Sequence, residues 1–79
     1  MANQKYTPTH QQATRIFAKF GGARRLAKAI GRDPSAVYKW NYPREIGGTD
    51  GLVPTSAIPD INAAADLLGI TLTPEDWTP

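Results

Sequence analysis

Two apolar stripes of identical spacing follow one another along the chain, and glycine cuts each of them off. Ala13, Ile16, Phe17 and Phe20 stand at i, i+3, i+4 and i+7, and ten residues on Ala23, Leu26, Ala27 and Ile30 repeat the pattern. That period puts four apolar side chains on one face, so each stretch predicts a short amphipathic helix. Gly21-Gly22 ends the first and Gly31 the second, because glycine takes the left-handed conformation of a helix end at little steric cost. Asp33-Pro34 then restarts a helix: Asp accepts from the unpaired backbone N–H groups, and Pro gives up a donor that had no partner. This third helix runs over 34–41 with Val37 and Trp40 inward, until Pro43 disfavours helical geometry at Tyr42. A chain of 79 residues that turns this often has room for one domain of short helices around one small core.

The flanks extend the pattern. Residues 1–8 are polar and aperiodic and read as a flexible arm, with Thr9 as the N-cap of the first helix, so the folded domain is expected over 9–79. Across 44–54, Ile46, Leu52 and Val53 bracket a Gly-rich centre; a small hairpin or wing and an irregular loop both fit. Ile58, Ile61, Ala65 and Leu68 make a fourth stripe over 56–68, capped by Thr55 or Ser56, with Pro59 in the first turn and Gly69 at the end. Ile70 and Leu72 are expected to fold back on the core. Thr73-Pro74-Glu75-Asp76 reads as a cap, a Pro at N1 and two acids opening a last short turn that carries Trp77. The expected fold class is therefore all-α, a bundle of four to five short helices with a Gly-rich loop or small hairpin at 44–54.

Charge divides this chain in two. Residues 1–44 hold all nine Lys and Arg and one acid, Asp33, for a net +8, whereas 45–79 hold six acids and no Lys or Arg, for a net −6. So cationic a half calls for an anionic partner, nucleic acid or an acidic membrane surface. With no Cys, disulfides, thiolate catalysis and Cys-based zinc sites are excluded. His10 is the one histidine and has no second His or Cys with which to share a metal; it reads as a surface residue near a helix start. Glu75 and Asp76 are adjacent and point to different sides of any helix, so they cannot flank one substrate. Gly47-Gly48-Thr49-Asp50-Gly51 has no Lys to complete a phosphate-cradling loop. Neither an enzyme nor a cofactor is expected, and no apolar run approaches the length of a membrane span. The expectation is an unprocessed cytoplasmic protein.

The segment 23–42 carries the sharpest signal. Two short helices joined by a three-residue turn that begins with Gly resemble a helix-turn-helix. The family pattern asks for a small residue at its fifth position, Gly at its ninth and an aliphatic at its fifteenth. Counted from Ala23, those are Ala27, Gly31 and Val37. Together with Phe20-Gly21-Gly22, Leu26-Ala27, Val37-Tyr38-Lys39-Trp40, Tyr42-Pro43-Arg44, Gly47-Gly48-Thr49, Val53-Pro54 and Leu72-Thr73-Pro74-Glu75-Asp76, they make residues 12–77 resemble small Cro/C1-type regulators of phages and phage-like elements. The resemblance implies a lambda-repressor-like bundle that binds double-stranded DNA as a transcriptional regulator, most simply a repressor, in the nucleoid. The long Gly-rich connection after the third helix departs from the simplest members.

In that family the third helix lies in the major groove while the start of the second meets phosphate. Carried onto matching positions, this makes Ser35, Ala36, Tyr38 and Lys39 the candidates for reading bases. Lys39 would donate to guanine, Ser35 to a base or a phosphate, and Ala36 would touch a thymine methyl. Arg15, Lys19, Arg24, Arg32 and Arg44, with the backbone N–H end at Gly22 and Ala23, are the candidates for phosphate; Asn41 and Tyr42, at the helix exit, suit either role. Each cation has a plainer reading as a solvated helix face, and Tyr38 has one as a packing residue against Trp40 or the second helix.

The acidic half is expected to face away from a duplex. Leu67, Ile70, Leu72 and Trp77 in the 60–79 region suggest a homodimer, at least on DNA, or else they only complete a small core. A rival function is an antitoxin or an adaptor for a host protein partner, with the 44–54 loop and Trp77 as its contact surface.

Overall fold

The computed structural model describes residues 6–79. Three helices, α1 (Gln12–Phe20), α2 (Ala23–Ile30) and α3 (Pro34–Tyr38), are followed by 3₁₀ turns at Lys39–Asn41, Arg44–Ile46 and Thr55–Ala57, then by α4 (Ile58–Leu68) and a last 3₁₀ turn at Pro74–Trp77. No strand forms among the described residues, so the chain is all-α and 44–54 is a loop with one 3₁₀ turn. No described helix is long and apolar enough to cross a membrane.

The first helix begins at Gln12, not after Thr9, and the cause lies 40 residues away in the 50–51 loop. Asp50 draws the preceding segment onto itself: its carboxylate accepts from the Thr9 amide at 2.9 Å and from the Tyr6 hydroxyl, and its carbonyl accepts from the His10 amide at 3.2 Å. Thr9 is thereby held outside the helix. The start of α1 is capped by this loop instead, the Ala13 amide donating to the Gly51 carbonyl at 2.8 Å. Gly51 sits at φ 93°, and a Cβ there would strike the His10 carbonyl, so glycine is required both by conformation and by space. Residues 1–5 of the expected arm lie outside the described residues; 6–8 lie against this loop.

Between α2 and α3 the chain reverses at Gly31, whose φ is 72°. The Gly31 and Arg32 amides donate back to Lys28 and Ala27 carbonyls, closing the last turn of α2. Asp33 then caps α3 through its carboxylate, which accepts from the Ser35 amide at 2.9 Å. The expected 34–41 helix is α-helical to Tyr38 and tightens to 3₁₀ over Lys39–Asn41. Tyr42, extended at ψ 160° ahead of Pro43, accounts for that ending.

The core is formed by the stripes of all four helices. Ile16, Leu26, Val37 and Ile61 are its largest fully buried side chains, and Trp40 lies within it, stacked on Phe17 with ring centroids 6.0 Å apart. Leu68 departs from the expected fourth stripe, being 58% exposed. Gly69 turns the chain so sharply that the Ile70 amide reaches the Ala65 carbonyl at 2.8 Å, and Ile70 covers the core where Leu68 would have stood. Leu72 and Trp77 also pack on the core, which removes them, with Ile70, from the surplus apolar surface expected over 60–79. Leu67 remains outside it.

Candidate nucleic-acid interface

The orientation of α3 and of the 3₁₀ turn that continues it follows from two inward anchors, Val37 and Trp40, both buried. Fixing them turns Ser35, Ala36, Tyr38 and Lys39 outward, and all four are exposed, Tyr38 by 45%. The ring stacked on Trp40 is Phe17, from α1. Ser35 is not unencumbered: its hydroxyl donates to Asp33 at 2.8 Å. The Ser35 amide and then its hydroxyl hold the Asp33 carboxyl below its ordinary pKa, so a negative charge stays at the start of α3 and occupies the serine.

Beside α3 the cations of α2 form an open groove lined by Arg24, Arg25, Lys28, Arg32 and Pro34. Arg24, Arg25 and Lys28 come from the outward face of α2, while the Gly31 turn swings Arg32 and Pro34 across its end. Of these cations only Arg32 is near an acid among the described residues, with Asp60 at 3.7 Å, and it also donates to the Ser56 carbonyl at 3.4 Å. Four like charges on one concave surface make a place for an anion bearing several negative charges.

The other expected phosphate contacts separate into groups. Lys19 pairs with Asp76 at 3.4 Å and donates to the Thr71 carbonyl at 3.3 Å. Arg15 spreads its guanidinium over the last residues, donating to the Thr78 hydroxyl at 2.8 Å, the Thr78 carbonyl and the Pro79 carbonyl at 3.2 Å. Both side chains thus serve the 71–79 segment. Gly22 has its amide engaged by the Phe17 carbonyl at 2.8 Å, and Ala23 is buried. Arg44 is exposed at the start of the Gly-rich loop.

Asn41 and Tyr42 border a hollow at the foot of α3, shared with Tyr6, Thr14, Phe17 and Tyr38. The Asn41 amide donates to the Thr14 hydroxyl at 3.2 Å, while its oxygen is buried without a partner among the described residues. Tyr42 is tied through its backbone, donating to Lys39 and accepting from Asp50. Arg25 and Lys28 belong to the groove although the family positions single out Arg24 and Arg32. Helical periodicity places them on the outer face, but the curvature that gathers them with Arg32 arises only at the Gly31 turn. No group of three or more His, Asp or Glu among the described residues is arranged to hold a metal ion.

Comparison with protein-family models, curated proteins and solved structures finds no match to the chain.

Proposed function

We propose that the chain is a sequence-specific regulator that binds double-stranded DNA, acting as a repressor in the manner of Cro/C1-type helix-turn-helix proteins. The observation that supports this reading is the exposed face Ser35, Ala36, Tyr38 and Lys39 standing next to the Arg24, Arg25, Lys28 and Arg32 groove. A helix of this kind enters the major groove, and the neighbouring cations take the phosphates that flank it. Lys39 and Tyr38 are the readers with side chains least committed elsewhere; Ser35 reads through the hydroxyl it otherwise gives to Asp33. Arg24, Arg32 and Arg44 take phosphate. Association with DNA would place the protein in the nucleoid.

The test is a selection from randomised duplexes followed by fluorescence-anisotropy titration over a range of salt concentrations. With about four to six phosphates neutralised per chain, the log–log salt slope is expected near −4 to −5. Lys39→Ala should relax base preference, and Arg24→Ala should weaken every duplex alike. Equal affinity for all duplexes, or a flat salt response, would sink the reading. Co-purification of another protein without any DNA binding would favour the adaptor or antitoxin alternative, for which exposed Ile46 in the 44–54 loop is the structural argument.

A further inference from the structure

All three tyrosines of the chain, together with Phe17, line one hollow of about 310 Å³ at the foot of α3. Tyr6 comes from the segment ahead of α1, Phe17 from α1 itself, and Tyr38 and Tyr42 from either side of the 3₁₀ turn that continues α3. Small-ligand pockets run from roughly 300 to 1,000 Å³, so this space suits one ring system. Packing has not used up its rings. Tyr38 and Tyr42 are 45% and 37% exposed, and their hydroxyls make no hydrogen bond among the described residues. Asn41, in the same wall, adds a second unmet demand: its carboxamide nitrogen donates to the Thr14 hydroxyl at 3.2 Å, while its oxygen is buried with no partner among the described residues. Buried acceptors are nearly always paired, so this one asks for an N–H donor.

We infer that the hollow binds an unpaired nucleobase of a single strand, a form of nucleic acid that the duplex reading does not cover. Base faces stack on aromatic side chains whatever their sequence. Each of the four bases also carries an N–H donor on its pairing edge, and that donor is free for Asn41 when the base has no complement. A turn of the Asn41 carboxamide, held at its nitrogen by the one 3.2 Å contact, presents the oxygen to the guest. Charge and hydrogen bonding select against the other guests of an aromatic hollow. Lys39 and Arg44 flank Tyr38 and Tyr42 in sequence with no carboxylate in ion-pair distance among the described residues, so an organic cation meets like charge and a strand's phosphates meet opposite charge. Asp50, the acid bonded to Tyr6, is already occupied by that hydroxyl and by the Thr9 amide. A proline-rich peptide, which also docks on aromatic grooves, lacks at each proline the N–H that Asn41 requires. Tyr38 and Lys39 belong to the duplex-reading face as well, so paired and unpaired strands would compete for them, but binding here needs no duplex.

The experiment titrates the full chain into a short deoxyadenosine strand with one central 2-aminopurine, whose fluorescence is quenched when the base stacks. The wild type is expected to quench it, and an abasic strand of the same length and charge should compete at least about fivefold more weakly than the strand with its bases. Tyr42→Ala should weaken binding about tenfold with an unchanged circular dichroism spectrum, and Tyr42→Phe, which keeps the ring, should not. A thymidine strand should bind about two- to tenfold more tightly than the same strand methylated at the pairing-edge nitrogen, which removes the donor. Absence of quenching, equal competition by the abasic strand, or equal binding of the methylated strand overturns the inference. So does a free nucleoside that binds as tightly as the strand, or a proline-rich peptide that displaces the strand at equal concentration. If Tyr42→Ala alters the spectrum, the abasic and methylated strands decide with the wild type alone. Failure here leaves the regulator reading intact, since that is scored on fully paired duplexes, and failure of duplex binding leaves these results unaffected.

Discussion

Gln12 is the polar residue that the core is built around, and replacing it with leucine tests the packing argument directly. Its side chain is 8% exposed and joins three distant parts of the chain. The amide oxygen accepts from the Val53 amide at 2.7 Å, and the amide nitrogen donates to the Trp77 carbonyl at 2.6 Å. Leucine fills similar space but pairs with neither group. Leaving a buried backbone group unpaired costs about 1–3 kcal/mol. Val53 N–H, fully buried, belongs near the upper end of that range and the part-buried Trp77 carbonyl near the lower. The extra apolar burial of leucine offsets about 1 kcal/mol, so the net loss is about 2–3 kcal/mol. For a domain of this size that lowers the melting temperature by roughly 10–20 °C. Thermal and urea unfolding followed by circular dichroism read the change. Gln12→Glu sharpens the test, since a protonated glutamic acid donates to Trp77 and accepts from Val53 just as the amide does. Its stability relative to wild type at the same pH should therefore rise as the solution is acidified. A Gln12→Leu variant within about 0.5 kcal/mol of wild type, the range of an inconsequential surface change, would refute the reasoning.

Three further outcomes are expected. The Tyr6 hydroxyl bound to Asp50 pushes the phenol up to about 12 and holds the Asp50 carboxyl down to about 2. A carboxyl with a lowered folded value adds stability that is full above its ordinary 3.8 and fades as pH falls towards 2. A phenol with a raised value adds stability that is full below its ordinary 10.0 and fades as pH climbs towards 12. Ultraviolet titration should thus show one late-ionising tyrosine, absent from Tyr6→Phe, whose Asp50 should also titrate at higher pH. Gly51→Ala, strained and clashing with the His10 carbonyl, should cost at least about 1–3 kcal/mol and speed hydrogen exchange at the His10 and Ala13 amides. Phe17→Leu should cost about 0.5–1.5 kcal/mol for the lost stacking alone and shift the Trp40 fluorescence to the red as its cover loosens.

Local signals written within one turn of helix were legible in the sequence. Gly31, Asp33-Pro34 and the Val37 and Trp40 spacing define the reversal and the outward face of α3 with no information from the rest of the chain. The same holds for the Thr73 to Asp76 cap, whose carboxylate accepts from the Thr73 amide at 2.8 Å. What periodicity could not supply were contacts made across long stretches of chain. Asp50 stops α1 from starting at Thr9, Gln12 bridges Val53 and Trp77, and the Gly69 turn exchanges Leu68 for Ile70. Each depends on where a loop returns in space, and composition carries no trace of that. Among the candidate contacts, exposure of the α3 face followed from helical spacing. Which cations stay available did not, because Arg15 and Lys19 are engaged by residues more than 50 positions away.

That engagement changes what the split of charge along the chain means. A +8 front and a −6 rear suggest two separate surfaces, yet part of the rear is folded onto the front: Asp76 holds Lys19, Asp60 approaches Arg32, and the final carbonyls occupy Arg15. Among the described residues, no carboxylate lies within ion-pair distance of Arg24, Arg25, Lys28, Lys39 or Arg44. The acids therefore act less as a repelled back face than as a mask, pairing with Lys19 of α1 and approaching Arg32 while leaving positive potential around Arg24, Arg25 and Lys28 of α2 and around Lys39. Long-range attraction depends on this residual distribution rather than on the net +2 of the whole chain. Removing the mask has a defined consequence. Asp76→Asn would free Lys19 and widen the positive surface towards α1, so non-specific association with a polyanion should tighten and its salt slope steepen, by about 0.9 if one phosphate is added. If the slope stays at the wild-type value while the variant remains folded, Lys19 lies too far from the bound anion to matter, and the field is confined to α2 and α3.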